Sequence, residues 1–174
     1  MDWITHYRSP LGDMTLSADE TGLTGLWLDG QRYFARGLSS EWEEGETPIL
    51  VQARRWLDLY FAGKCPDFCP PLRPRGTAFQ QAVWKLLLEI PYGETVTYGE
   101  LARRLESATG RTAVSARAVG GAVAHNPISV MIPCHRVLGA DGSLTGYAGG
   151  PEKKLALLRL EGVEPRGRKE SPGY

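Results

Sequence analysis

The sequence predicts two domains of different class, an α/β domain followed by an all-α domain built around a helix-turn-helix. Three observations lead there. Short β-prone runs separated by turn chemistry fill residues 3–28, prolines crowd the chain just before residue 76, and apolar residues at helical spacing dominate the remainder of the chain. With 174 residues, 42% hydrophobic and 23% charged, the chain can bury a core. Its 20 basic residues balance 20 acidic ones, so no global field draws it to nucleic acid and any such affinity must reside in a local patch. No apolar run approaches the roughly 20 residues that span a bilayer, and Met1-Asp2-Trp3 opens neither a signal nor a transit peptide. The expectation is a cytoplasmic chain with no membrane partner.

Residues 3–7, 14–18 and 23–28 read as strands of an antiparallel meander, because Ser9-Pro10-Leu11-Gly12 and Asp19-Glu20-Thr21-Gly22 supply turn residues between them. Residues 31–46, rich in glutamate, show no clear period and are expected to be mostly loop. Leu50, Ala53, Leu57, Tyr60 and Phe61 then share a helical face, with Pro48 near its start and Gly63 past its end. One amphipathic helix should pack on the sheet. Pro66, Pro70, Pro71 and Pro74, interleaved with Arg73 and Arg75, form a stiff connection. Domains are therefore expected over 1–75 and 76–163, with the polar, Gly/Pro-rich stretch 164–174 as a mobile tail. Cys65 and Cys69 have a spacing that would suit two zinc ligands, but no second pair completes a tetrahedral site. No metal is expected there; the thiols are read as structural and unreactive, with a disulfide open only if the source is a hyperthermophile.

Phe79, Val83, Leu86, Leu87 and Ile90 make a second apolar stripe, capped by Thr77 and stopped by Pro91-Tyr92-Gly93. Thr97 and Glu100 stand at capping-box spacing before a helix carrying Leu101 and Leu105. A further helix is expected over residues 112–125, with Ala116, Val119, Gly120 and Val123 inward, and the pair makes a helix-turn-helix. Gly120 and Gly121 inside it each cost about 1 kcal/mol relative to alanine. Close packing accounts for Gly120. Gly121 and Ala122, read as turning outward beside Arg117, suit contact with a narrow surface such as a DNA minor groove; otherwise Arg117 is a solvated charge. The last helix begins at Pro151, carries Leu155 and Leu158, and ends at Glu161 before Gly162. A carboxylate there opposes the helix dipole by a few tenths of a kcal/mol. Either it is exposed, or a partner such as His135 offsets the conflict.

Cys134 follows Val130-Met131-Ile132-Pro133, a context that also suits an inert core thiol. His135 and Arg136 beside it argue for the reactive thiolate. In an extended chain neighbouring side chains diverge, so only a water or a sharp bend connects His135 with Cys134. Arg103, Arg104, Arg111 and Arg117 could form a local phosphate-binding patch.

The run Ile132-Pro133-Cys134-His135-Arg136-Val137 is preceded by Arg117-Ala118-Val119-Gly120-Gly121-Ala122 and Asn126-Pro127, and followed by Gly146-Tyr147-Ala148-Gly149-Gly150. Over residues 79–161 this succession resembles the O6-alkylguanine-DNA alkyltransferases. The resemblance implies a ribonuclease-H-like sheet in the first domain and a winged-helix-like arrangement in the second. It implies a relay from Glu161 through His135 and a water to Cys134, with Asn126 as a hinge behind the active-site turn. Tyr98 would address the base, the Val137 and Cys134 carbonyls its exocyclic amine, and the Ala148 amide its O6, between walls of Val123 and Tyr147. Arg117 would fill the place of a flipped guanine, with Thr97, Gly121 and Ala122 at the minor groove of alkylated double-stranded DNA.

The implied activity is direct-reversal repair: one irreversible transfer of an alkyl group from O6-alkylguanine, and by extension O4-alkylthymine, to Cys134. It would be carried out by a monomer without cofactor, in the cytoplasm or on the nucleoid. Three features depart from the family pattern. Residues 107–114 are longer than usual between the two helices, Ala148 replaces the serine of some relatives, and the zinc ligands of some N-terminal domains are not recognisable. A cysteine hydrolase would need an oxyanion hole, and a zinc deaminase a second cysteine after Pro133-Cys134; neither is evident. The remaining alternative is a protein that binds the alkylated base without repairing it, for which a cysteine at 134 has no use.

Overall fold

The computed structural model describes residues 1–165. They divide into two compact units, Met1–Arg75 with Pro127–Ser129, and Gly76–Asn126 with the chain from Val130 onward. The expected tail lies almost wholly outside the described residues.

In the first unit β1 (Asp2–Ser9), β2 (Gly12–Ala18) and β3 (Leu23–Leu28) form the expected antiparallel meander, with Ile4 opposite Ser17 and Leu16 opposite Leu26. A further strand, β4 (Trp42–Glu44), pairs in parallel with β1 and makes the order β3-β2-β1-β4. It falls inside the stretch read as mostly loop. All three of its residues are exposed at a sheet edge, so no alternation of apolar and polar residues marked it. Helix α1 (Pro48–Phe61) is capped by Thr47 and buries Leu50, Ala53, Trp56, Leu57 and Tyr60. Phe61, expected on that face, is only half-buried; Trp56 takes the place, stacked on Tyr60 at 5.2 Å.

Two later segments close the outer edge of β3. Leu23 bonds with the Pro71 carbonyl and the Arg73 amide, both at 2.7 Å, and Leu26 with the Pro127 carbonyl at 2.8 Å and the Ser129 amide at 2.9 Å. Residues 127–129, expected in the helical half, therefore belong to this sheet. Arg75, read as linker, is an anchor: its guanidinium donates to the fully buried Asp2 carboxylate at 2.7 and 2.8 Å.

The second unit begins with α2 (Ala78–Leu87), where Thr77 and Gln80 complete a reciprocal capping box. Short strand β5 (Val96–Thr97) leads into α3 (Tyr98–Thr109). Thr97 caps α3 by accepting from the Glu100 amide at 3.1 Å, while its hydroxyl donates to the Glu100 carboxylate at 3.2 Å. Helix α4 (Ala116–Ala124) starts later than expected because Ser115 is its N-cap. The added length before it is an ordered turn. Gly110 ends α3 in the left-handed region, and the Glu106 carboxylate accepts from the Val114 amide at 3.2 Å. Val119 and Val123 face inward as expected, but the phase of α4 corrects two neighbours. Ala116 is exposed, whereas Ala122 is buried and its carbonyl accepts from Trp84 Nε1 at 2.8 Å. Bulk at position 122 would strain α2 against α4 rather than a bound surface. Strand β6 (Val137–Leu138) pairs in parallel with β5, and α5 (Pro151–Leu160) covers a cluster of Leu138, Leu144 and Leu158.

Candidate active site

Cys134 begins a single 3₁₀ turn, Cys134–Arg136, reached through Pro133 and left through β6. The chain turns sharply here, where an extended strand was expected. The turn is buried throughout. Asn126, at the end of α4, donates from Nδ2 to the Ile132 carbonyl at 2.8 Å and so holds the approach to the nucleophile.

Burial pushes the Cys134 thiol above its ordinary pKa, so the resting group is the thiol. The expectation that Arg136 favours the thiolate needs correction, because its guanidinium is directed at Glu161. Other groups oppose the burial. A hydrogen bond from Asn126, the Lys154 charge and the backbone amides of Cys134 and His135 all lower the thiol pKa. Anionic sulfur would thus meet several prepared partners at once.

His135 is fully buried, and its Nε2 lies 2.6 Å from Glu161 Oε2. Burial lowers its pKa, Glu161 raises it, and the nearby Arg136 and Lys154 charges lower it further. Glu161 is the C-cap of α5, and its dipole conflict is offset as anticipated by partners. It accepts from the Gly93 amide at 3.0 Å and from Arg136 at 2.8 and 3.1 Å.

Above the turn, Tyr98 opens α3 and donates its hydroxyl to the Thr145 carbonyl at 2.7 Å. That carbonyl also accepts from Lys154 Nζ at 3.0 Å, and the ammonium stands 5.7 Å from the centre of the Tyr98 ring. Gly146 has φ +83°, and a side chain there would collide with the Tyr98 hydroxyl. Gly120 packs on the same ring, its absent Cβ position 3.8 Å from two ring carbons. Val123, Val137 and Tyr147 are buried and Ala148 is half-buried. Arg117 and Gly121 are exposed on α4, and Thr97 is half-buried at the head of α3.

Lys154 escaped the sequence reading although it is fully buried. Its signal was helical phase, since Lys154, Leu157, Leu158 and Glu161 follow the i, i+3, i+4, i+7 stripe of one face. Cys65 and Cys69 are free and exposed, and among the described residues no group of three or more His, Cys, Asp or Glu could hold a metal ion. No helix among them is long and apolar enough to cross a membrane.

A helix-turn-helix, a form common among DNA-binding proteins, combined in one unit with a buried thiol and an imidazole–carboxylate pair defines a class in which DNA binding and cysteine chemistry coincide. Residues 78–163 match the family model described as the 6-O-methylguanine DNA methyltransferase, DNA binding domain, and residues 4–74 match its ribonuclease-like domain. The chain belongs to this family. It is 43% identical over 163 residues to a methylated-DNA--protein-cysteine methyltransferase of Haemophilus influenzae, covering 92% of this chain and 87% of the relative. With a protein of the same name from Mycobacterium bovis it shares 47% identity, over 90% of this chain and 92% of the relative. The structure of Mycobacterium tuberculosis OGT in complex with DNA superposes with a TM-score of 0.79 at 42% identity, covering 95% of this chain and 96% of that one. The ribonuclease-like and helical halves expected from the sequence agree with these matches.

Proposed function

We propose that this chain repairs alkylated DNA by moving the alkyl group of O6-alkylguanine onto Cys134, once per molecule. The observation that carries the reading is the buried Cys134–Arg136 turn, whose second residue is an imidazole hydrogen-bonded at 2.6 Å to a buried carboxylate. His135 takes the thiol proton, by way of a water. The thiolate attacks the alkyl carbon, the sulfur–carbon bond forms as the carbon–oxygen bond breaks, and the electron pair passes to the guanine, which is neutralised by a proton from Tyr98. Asn126 and the amides of the turn support the sulfur's charge before attack. The Val137 and Cys134 carbonyls and the Ala148 amide read the base edge, between Val123 and Tyr147. A thioether has no acyl carbon for water to attack, so the cysteine is not regenerated.

The partner in this reading is a duplex entered from the minor groove by α4, with the guanine flipped out at a loss of a few kcal/mol of stacking and pairing. Arg117 fills the gap it leaves, and the exposed Gly121 permits close approach. Thr97 contributes at the head of α3. Ala122 acts from behind, through its bond to Trp84, rather than by touching DNA. The protein works as a monomer within the cytoplasm or on the nucleoid.

Incubation with an excess of O6-methylguanine duplex is expected to leave one methyl group per chain, mapped to Cys134 by peptide mass. More than one repaired base per chain, or a methyl group on Cys65 or Cys69, contradicts the reading; tight binding without any mass gain favours a non-repairing binder. Arg117→Ala should slow the duplex reaction by tenfold or more, on the order of the lost stacking, while reaction with free O6-benzylguanine stays nearly unchanged. Equal slowing of both would assign Arg117 to the pocket or the fold.

A further inference from the structure

The Glu161 carboxylate has each oxygen engaged twice. Oε1 accepts from Arg136 Nε at 2.8 Å and the Gly93 amide at 3.0 Å, and Oε2 lies 2.6 Å from His135 Nε2 and 3.1 Å from Arg136 Nη2. Arg136 commits its remaining nitrogen, Nη1, to the Ile90 carbonyl at 2.7 Å, and its guanidinium stands 5.7 Å from the centre of the Tyr92 ring. The fork therefore grips both carboxylate oxygens while anchored to the segment after α2. Pairing of this kind fixes orientation as well as charge.

Proton bookkeeping gives the pair a consequence. A buried carboxylate with no cation beside it, 2.6 Å from an imidazole, favours the imidazolium. An imidazolium carries protons on both nitrogens and accepts none from a thiol. We propose that Arg136 is a positioning residue for alkyl transfer: by neutralising and orienting Glu161 it keeps His135 an uncharged base, with Nε2 donating to the carboxylate and Nδ1 as the nitrogen that accepts the Cys134 proton. This rests on the reading of Cys134 as acceptor and His135 as its base. The same device lets Glu161 stabilise the imidazolium for the short time that it exists.

Among the described residues, the charged and titratable groups around His135 are Glu161 and Lys154 from α5 and Cys134 and Arg136 from its own turn, with Tyr92 against Arg136. Of these only Glu161 favours the charged ring; burial, Arg136 and Lys154 oppose it. Removing Arg136 therefore releases the one group that promotes protonation from the cation that holds it in check.

The test is the rate of Cys134 alkylation by free O6-benzylguanine, which needs no DNA contact, followed from about pH 5.5 to 9.5. Arg136→Gln is expected to move the acidic limb upward by about one pH unit, a tenfold loss at pH values below both midpoints, with recovery toward the native rate at high pH. Arg136→Lys keeps the charge without the fork and should move the limb less. In a Glu161→Gln background, Arg136→Gln should move the limb clearly less, only by the loss of Arg136's own repulsion of the charged ring. A rate lowered equally at every pH, with an unmoved midpoint, would make Arg136 a packing residue and overturn the proposal. If Arg136→Gln does not fold, Arg136→Met, which also removes the charge, decides, and an unmoved midpoint in it overturns the proposal equally. Failure of the underlying reading is distinct, since native protein would then not acquire the benzyl group on Cys134.

Discussion

Glu161→Ala is expected to lower the thermal midpoint by roughly 10 °C and to slow alkyl transfer a hundredfold or more. The stability loss has its origin in the group left behind. Arg136 would stay buried with its charge unpaired, a situation that costs about 3–5 kcal/mol, and for a chain of this size each kcal/mol is worth roughly 2–4 °C. The rate loss has a separate origin, since His135 loses the acceptor that fixes its tautomer, and a positioned general base contributes about 10²–10⁴. Calorimetry and single-turnover kinetics read the two effects independently. A midpoint within a degree of native would mean that Arg136 finds water or another partner, and the buried ion pair would lose its structural significance. Glu161→Gln, which keeps hydrogen bonding, should be the milder variant for stability but not for rate.

Lys154→Met should separate the two effects, giving a more stable chain that nonetheless reacts more slowly. Burial depresses the Lys154 pKa from 10.5 to about 8. Between about pH 8 and 10.5 the unfolded chain holds the proton that the folded chain has released, so native stability rises with pH across that window. Below it the full penalty is present, on the order of 3 kcal/mol for a shift of this size. Methionine removes the charge at similar length, so the variant should gain roughly 1–3 kcal/mol at pH 7 and lose the rise in stability above pH 8. The lysine charge also lowers the Cys134 pKa, so its removal should raise the thiol pKa and slow alkylation. Unfolding by denaturant at pH 7 and pH 10, with thiol titration, checks both halves. A variant less stable than native at pH 7 would show that the bond to Thr145 outweighs the burial of the charge. That a site should hold a group which destabilises the fold is a familiar exchange of stability for activity.

The sequence made some of this legible and concealed the rest for identifiable reasons. Thr77, Thr97 and the prolines announced helix starts because capping acts within one turn, whereas Cys134 next to His135 left a bend and a bridging water both open because adjacent side chains diverge. A carboxylate at a helix C-terminus is a local conflict that left the pairing of Glu161 with His135 open, and only the family resemblance decided for it over an exposed side chain. Arg136 resisted reading because its local neighbour was the thiol while its true partner lies 25 residues on. Lys154 stands next to Lys153, and only the phase shared with Leu158 and Glu161 separates a buried lysine from a solvated one. Ala116 and Ala122 were exchanged between faces for the related reason that an alanine-rich nine-residue helix has a weak apolar contrast. Strand β4 and the pairing of residues 127–129 with β3 depend on partners far away in sequence, which no local pattern records.

The order of these residues along the chain bears on how the protein is made. His135 and its carboxylate are 26 residues apart, and Lys154 lies between them on the same late helix. A chain synthesised from its N-terminus thus displays Cys134 before the residues proposed to activate it have been added. Until α5 is complete and docked, position 134 has neither the Lys154 charge nor a base held in the right tautomer, and it behaves as an ordinary thiol. The proposed base-assisted transfer therefore arrives only with the finished fold, whereas a half-made molecule carries an accessible thiol of ordinary pKa, open to any stray electrophile until folding buries it.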